Sequence, residues 1–490
     1  MSKVLALGID ALEFDDLMQH LDVLPSFSKL LQTGQRIDLR SSAQTLDASV
    51  WPTFSNASLP GEHGTYFPLQ WDYRQARFCN ISEGTPWHSH TPFWSDAAAA
   101  GARIGILDLP MFSDSGSGSG AGQVERFHWH TQESGNVTDL NNSPIWKAID
   151  SEIPLPGLGV DVPADLSESQ EQAVYSSVLC SIRDRGCVIK RLLAAERWDC
   201  FLGVFSEVHR AGHYFWPDPN STDCTINAAR MRSIYIALDQ VLGELLDTAT
   251  DDYSIILFAL HGMAPNSSQA HFVAPLLERF SQLTMGCKPS LRANATRWLR
   301  KKVPAVVQRQ VGAMVGRKIR DRVVGSELVG GLDWQHTPVF SVPTGGQGFV
   351  RFNIAGRELH GVVELDSAEA DAIRDSLRNE FHSLRDLESG ELLVEKIHED
   401  DSDWTGHSAA FLPDWSIIWR SLPPSSSATT QKLGSFKARL LTGRGGNHTV
   451  SAFALAEDCS TFAALPRPKH ISELGRFLLG GNIRNPTMTT

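Results

Sequence analysis

Three apolar runs in this chain stop at side chains that can hold a metal or move a proton. KVLAL, from Lys3, stops at Gly8-Ile9-Asp10; WDCFLGVF runs into SEVHR; YSIILFAL stops at His261-Gly262. Runs this short and continuous are the signature of strands buried on both faces. A polar group at the carboxyl end of such a strand stands where open α/β sheets place their chemistry. Helical patterns separate the runs. A helix-like segment follows Asp10 through Leu30 and ends near Gly34, and TPFWSDAAAAGARIGILDLP gives a helix, a glycine stop and another strand. Apolar periodicity at Val174, Val178, Ile182, Val188 and Leu192 predicts a long helix from Ser167 to Arg197, and Tyr235, Leu238 and Leu242 mark one from Ser233 to Leu246. The alternation predicts an α/β fold with a mostly parallel central sheet between helices.

A chain of 490 residues, 42% hydrophobic, buries a large core as one big domain with insertions or as two to three smaller ones. A formal charge of -12 gives no basic footprint, which argues against nucleic acid or an anionic membrane as main partner and leaves a small-molecule substrate. MSKVLALGID is too short an apolar run for a signal peptide, and no later run approaches a membrane span, so the expected location is cytoplasmic. The seven cysteines are scattered without a C-x-x-C pair; buried reduced thiols are expected. DSGSGSGAG (114–122) has the composition of a flexible loop, and the basic stretch within 278–330 that of a solvated helical face on a cap, interrupted by Pro304. Nothing in the sequence sets an oligomeric state.

Four blocks, in order, carry a resemblance: KVLALGIDALEFD with LPSFSKLLQTG, then SVWPTFSNASLPGEHG, then LGVFSEVHRAGHYFW, then GLDWQHTPVFSVPTGGQGFVRFNIAGRE. Together they resemble predicted phosphohydrolases or phosphomutases of the alkaline phosphatase superfamily, of the type I phosphodiesterase/nucleotide pyrophosphatase kind. The resemblance implies an alkaline phosphatase-like core with cap insertions. Its segments would be core at 1–113, a loop and helical insertion at 114–200, core at 201–264, a cap at 265–400 and core again at 401–490. It also implies two adjacent divalent metal ions, usually zinc, at the carboxyl edge of the sheet. Paired cations suit phosphoryl transfer because they neutralise charge developing on the attacking and departing oxygens.

Residue by residue, Asp10, His213, His261 and His448 match the family's metal positions. Three positions depart. Asp47 stands where relatives carry the Ser or Thr nucleophile, ten before Ala57, which replaces a glycine; His209 and Leu260 stand where relatives carry aspartates. Two of the three changes install another metal-binding side chain. The expected sets are therefore Asp10, Asp47 and His261 for one metal and His209, His213 and His448 for the other. Zinc suits these donors, and so do iron, manganese and nickel.

Three protein ligands with an open position fit a catalytic metal whose bound water attacks in place of the missing hydroxyl. The function implied is a dinuclear metal-dependent hydrolase of a phosphoryl, phosphonyl, sulfuryl or related polar bond. Asp47 would be a ligand; the alternatives are Asp47 as a carboxylate nucleophile, or Thr45 or Ser49 reaching in. Two other functions stay open: a repurposed centre, with iron as one candidate metal, doing redox or elimination chemistry, and a non-catalytic pseudoenzyme, for which Leu260 speaks. His63 in GEHG matches a position that supports the loop. Glu207 is either a further ligand or base in the cleft or faces away from it, and Arg357 either an anion contact or a surface ion pair. HSH (88–90) and HWH (128–130) have no frame.

Overall fold

The computed structural model describes residues 3–81, 91–111, 124–127, 166–218, 223–249, 252–287, 332–438, 440, 445–457 and 465–479, with residues 146, 149, 153, 325, 329 and 462. The glycine-serine loop, most of the basic stretch, HSH, HWH and Cys459 lie outside these. The central sheet contains β1 (Lys3–Ile9), β2 (Gly34–Leu39), β3 (Ile104–Leu107), β4 (Val124–Phe127), β5 (Cys200–Phe205), β6 (Tyr253–Ala259) and β7 (Ala452–Glu457). Its order is β2-β7-β6-β1-β5-β3-β4, and only β7 runs against its neighbours.

Period-two alternation covers both faces. Leu5, Leu7, Phe201, Phe205 and Leu257 point into one apolar cluster. Ala6, Leu202, Val204, Ile256 and Phe258 point into the other. The first is closed by α1 (Pro25–Thr33), α3 (Glu168–Ala195) and α5 (Cys224–Ala249), the second by α2 (Val50–Ser55) and α6 (Ile471–Leu478). The long helix α3 begins at a capping box, with Ser167 Oγ accepting from Gln170 N–H and Gln170 Oε1 from Ser167 N–H. Asp239 of α5 caps α1 across the core, accepting from the N–H groups of Ser26 and Phe27 at 3.2 and 2.8 Å.

A second, antiparallel layer orders Val339–Ser341, Gly348–Phe352, Trp415–Trp419 and Val394–His398, with the helices Val273–Met285 and Ala368–Ser383 packed on it. A three-stranded sheet continues it to Lys437. Helix α3 packs on the central sheet and shares its apolar cluster with residues of β1 and β5. The strand Trp415–Trp419 lies between Gly348–Phe352 and Val394–His398 in the antiparallel layer.

Candidate metal centre

Strands β6, β1 and β5 are adjacent and parallel, so their carboxyl ends open side by side. Asp10 follows β1, His261 lies two residues past β6, and α4 (Glu207–Phe215) starts two residues past β5. His209 and His213, four apart on α4, share one face. His448 arrives on the strand Gly446–Thr449, which pairs with Gly262–Pro265 so that His448 lies opposite Met263. Asp47 opens a 3-10 turn leading into α2. All six expected residues are thus brought to one edge of the sheet.

At its centre are three imidazoles. His209 Nε2 lies 2.9 Å from His213 Nε2 and 2.8 Å from His448 Nε2. Among the described residues, these three form a set whose ligand atoms all fall within 4.8 Å of one another. Partners on the far nitrogens fix the protons. His213 Nδ1 is 2.9 Å from the Gly446 carbonyl and His209 Nδ1 is 2.8 Å from Asp10 Oδ2, and both oxygens can only accept. Each Nδ1 therefore carries hydrogen, and both Nε2 lone pairs face the same point. Nitrogen lone pairs at this separation repel unless a cation or an added proton lies between them. The donor set fits a divalent cation with nitrogen affinity.

The other three residues surround this trio. Asp10 Oδ1 accepts from the Trp51 indole N–H at 2.8 Å and lies 3.1 Å from His261 Nε2. Asp47 Oδ1 accepts from Ala48 N–H at 2.8 Å and Oδ2 from Gly346 N–H at 2.9 Å. Asp47 Oδ2 also lies 3.4 Å from His448 Nδ1, which has no hydrogen-bond partner. The His261 and His448 rings are 4.4 Å apart at their centroids.

Electrostatics follow from these contacts. Burial alone would raise the Asp10 carboxyl, but the charge and hydrogen bonds of His209 and His261 hold it well below the usual range. Burial likewise opposes ionisation of Asp47, and the approach of His448 with the N–H groups of Gly346 and Ala48 outweighs it. Burial, then the charge of His261, pushes His448 down to about 3, against the pull of Asp47, so the ring is neutral at neutral pH, with one nitrogen lone pair available.

Other side chains named from the sequence have settled partners. Asp47 faces the far side of a histidine, and its oxygens are occupied by backbone N–H groups. The Ser49 hydroxyl contacts Thr53, which contacts His63 Nε2, so it belongs to the chain that braces this loop. His63 is buried and accepts from Thr65 N–H, the supporting role expected of it. Glu207 is on a helix and turns into the core, bound to Arg185 and Ser181. Arg357 is spent on Asp414 and Glu358. The Leu260 side chain lies in the apolar cluster under the sheet. Cys79 and Cys200 are buried, whereas Cys180 and Cys187 are exposed on α3.

Sequence reasoning missed Trp51 and Gly345-Gly346. Both are quoted within the family blocks, and the double glycine in PTGGQG was the available signal. A Cβ at Gly345 would lie 2.4 Å from Asp47 Oδ2, and one at Gly346 would lie 2.3 Å from Asn447 Nδ2. Only glycine lets this loop close on the site.

Solved structures share this architecture. Phosphonoacetate hydrolase from Sinorhizobium meliloti 1021 aligns in its complex with phosphonoacetate at a TM-score of 0.53, with 11% identity over 98% of this chain and 95% of that one. Its complex with phosphonoformate aligns at 0.51, with 12% identity and the same coverage. Murine ectonucleotide pyrophosphatase/phosphodiesterase 5 aligns at 0.47, with 11% identity over 98% and 95%. No curated protein matches the chain in sequence. The profile of the type I phosphodiesterase/nucleotide pyrophosphatase family matches residues 4–318, well over half the chain. The fold is alkaline phosphatase-like, and the chain belongs to the type I phosphodiesterase/nucleotide pyrophosphatase family, hydrolases of the alkaline phosphatase superfamily.

Proposed function

We propose that the chain hydrolyses a phosphoryl or phosphonyl ester with a divalent cation held by His209, His213 and His448. The convergence of their Nε2 atoms carries this reading. When bound, such a cation polarises a phosphoryl oxygen and brings the pKa of water into the neutral range. The chain's own residues prepare the donors. Asp10 and the Gly446 carbonyl fix the tautomers of His209 and His213, and burial keeps His448 neutral.

Water is the nucleophile in this reading. Asp47 accepts a backbone N–H on each oxygen, which lowers its power to attack, and the Ser49 hydroxyl is turned toward Thr53. No covalent intermediate forms on the chain, so one displacement at phosphorus inverts its configuration. The substrate is a small anion. A fold neighbour complexed with phosphonoacetate makes phosphonates part of the test. Zinc is the first choice of metal on donor chemistry.

The assay uses 4-nitrophenyl phosphodiesters, phosphomonoesters and phosphonates, on protein stripped by chelator and reloaded with zinc, manganese or iron. Turnover that needs the metal and falls by roughly 100-fold or more in His213→Ala is expected. A protein loaded at the trio that turns over none of these esters contradicts the proposal. Oxygen consumption by the iron form would instead favour redox chemistry.

A further inference from the structure

We infer that this site is built for one cation, where the superfamily it belongs to typically uses two. The inference rests on the proposed cation at the three imidazoles and concerns what Asp10, Asp47 and His261 do beside it. A second cation needs carboxylate oxygens pointing into open space. In this chain each such oxygen already has an occupant.

Consider the donors in turn. Leu260 stands where the family pattern has an aspartate, and its side chain is wholly buried among apolar neighbours, so that donor is absent. Asp10 gives Oδ2 to the His209 Nδ1–H. Its Oδ1 takes the Trp51 indole N–H and meets His261 Nε2, while His261 Nδ1 faces the Gly262 carbonyl at 3.2 Å; this corner therefore offers one oxygen and one nitrogen, fewer than the three protein ligands a metal site keeps. An indole nitrogen only donates, so the space along that lone pair is closed to a cation. Asp47 accepts a backbone N–H on each oxygen, and the Gly345-Gly346 turn presses onto it so closely that a methyl group would collide. His448 Nδ1 faces Asp47, so this carboxylate stands behind the imidazole.

The pattern is one in which carboxylates back the histidines. Asp10 backs His209 directly, Asp47 backs His448, and His261 contacts the free side of Asp10. Carboxylates in that position orient a ligand ring and raise its basicity. They also supply charge: two buried carboxylates held by imidazoles and N–H groups balance one dication, whereas two dications would leave excess positive charge in a closed pocket. Replacing the Ser or Thr nucleophile by aspartate and an aspartate ligand by histidine is thus one coordinated change. The donors collect around one position, and the acid groups move behind them.

The test is a metal titration of the full chain, stripped with chelator and dialysed to equilibrium against zinc or cobalt(II), read by elemental analysis. One equivalent is expected in the wild type and in His261→Ala, because His261 lies outside the trio of converging nitrogens. Asp10→Asn and Asp47→Asn are expected to keep one equivalent with affinity weaker by roughly 10–100-fold. Thermal melts of each metal-free variant check that it folds. Two equivalents in the wild type, with one in His261→Ala, overturn the inference while leaving the hydrolase proposal intact. A His261→Ala variant that folds and binds nothing also overturns it. Zero equivalents in the wild type overturns both.

Discussion

An acceptor oxygen at 2.8 or 2.9 Å from an imidazole N–H decides which nitrogen keeps its lone pair, and that decision is made twice around this centre, by the Asp10 carboxylate for His209 and by the Gly446 carbonyl for His213. Removing the three donors and removing their supports should therefore differ in kind. His209→Ala, His213→Ala or His448→Ala should each lose bound metal below about a tenth of the wild-type occupancy under conditions that saturate it, measured by elemental analysis. Backbone strain adds a second prediction. Ala57 holds φ of +46°, in the left-handed region that suits the glycine found there in relatives. Ala57→Gly should raise stability by roughly 1 kcal/mol in chemical denaturation, and a loss would contradict the strain. Asp47 was found by counting residues, yet its role was not legible. Whether a carboxylate ligates or supports depends on which N–H groups reach it, and Gly346 comes from 299 positions away.

The element that carries most of the chemistry is α4, and its first turn is fastened from below. Arg185 of α3 lies wholly buried between Glu207 and Asp108, with Ser181 also on Glu207. Arg185→Met would strand two buried carboxylates. Breaking such a pair costs about 3–5 kcal/mol, so the variant should melt far earlier and bind metal poorly through misplaced His209 and His213. Helix α3 offers an independent check of orientation. Cys180 and Cys187 face solvent, while Cys79 and Cys200 are buried and burial, then the charge of Asp199, pushes the Cys200 thiol up to about 12. A maleimide should label Cys180 and Cys187 of the native protein first and reach Cys200 only on unfolding; early labelling of Cys200 would contradict the packing of β5. Most of these elements were legible because apolar periodicity changes from two to 3.6 at clear points. Glu207 was left open between the cleft and the far side because the strand pattern does not show where the backbone turns into helix past Phe205, and only the tertiary partner Arg185 reveals that the side chain faces away.

Across the whole molecule, the second layer closes the site from above. The turn between its first two strands supplies the Gly346 N–H to Asp47, and Gln347 and Ser416 donate to the carbonyls of Ala43 and Thr45, so the layer is bonded to the loop that carries Asp47. That layer is held by ion pairs of its own. Burial opposes ionisation of Asp414, but Arg357, then Arg351 and the Phe352 N–H, hold its carboxyl below the usual range. A carboxylate depressed in the folded state contributes stability that is complete above its unfolded value of about 3.9 and is lost as pH falls below it. Asp414→Asn should therefore be less stable than wild type at neutral pH and lose less on acidification below about pH 4, read from denaturant midpoints across pH. An unchanged acid limb would contradict it. The central sheet was legible as a whole because each buried strand is one continuous run. The order of the antiparallel layer was not, because the strand Trp415–Trp419 pairs across intervals of sequence that no local pattern connects.

The most direct test of the centre is anomalous diffraction from crystals grown with zinc or cobalt(II). One peak is expected, about 2.0–2.1 Å from Nε2 of His209, His213 and His448, with Asp10 and Asp47 behind the rings. A pair of peaks about 3.5–4 Å apart, or density away from these nitrogens, would contradict it.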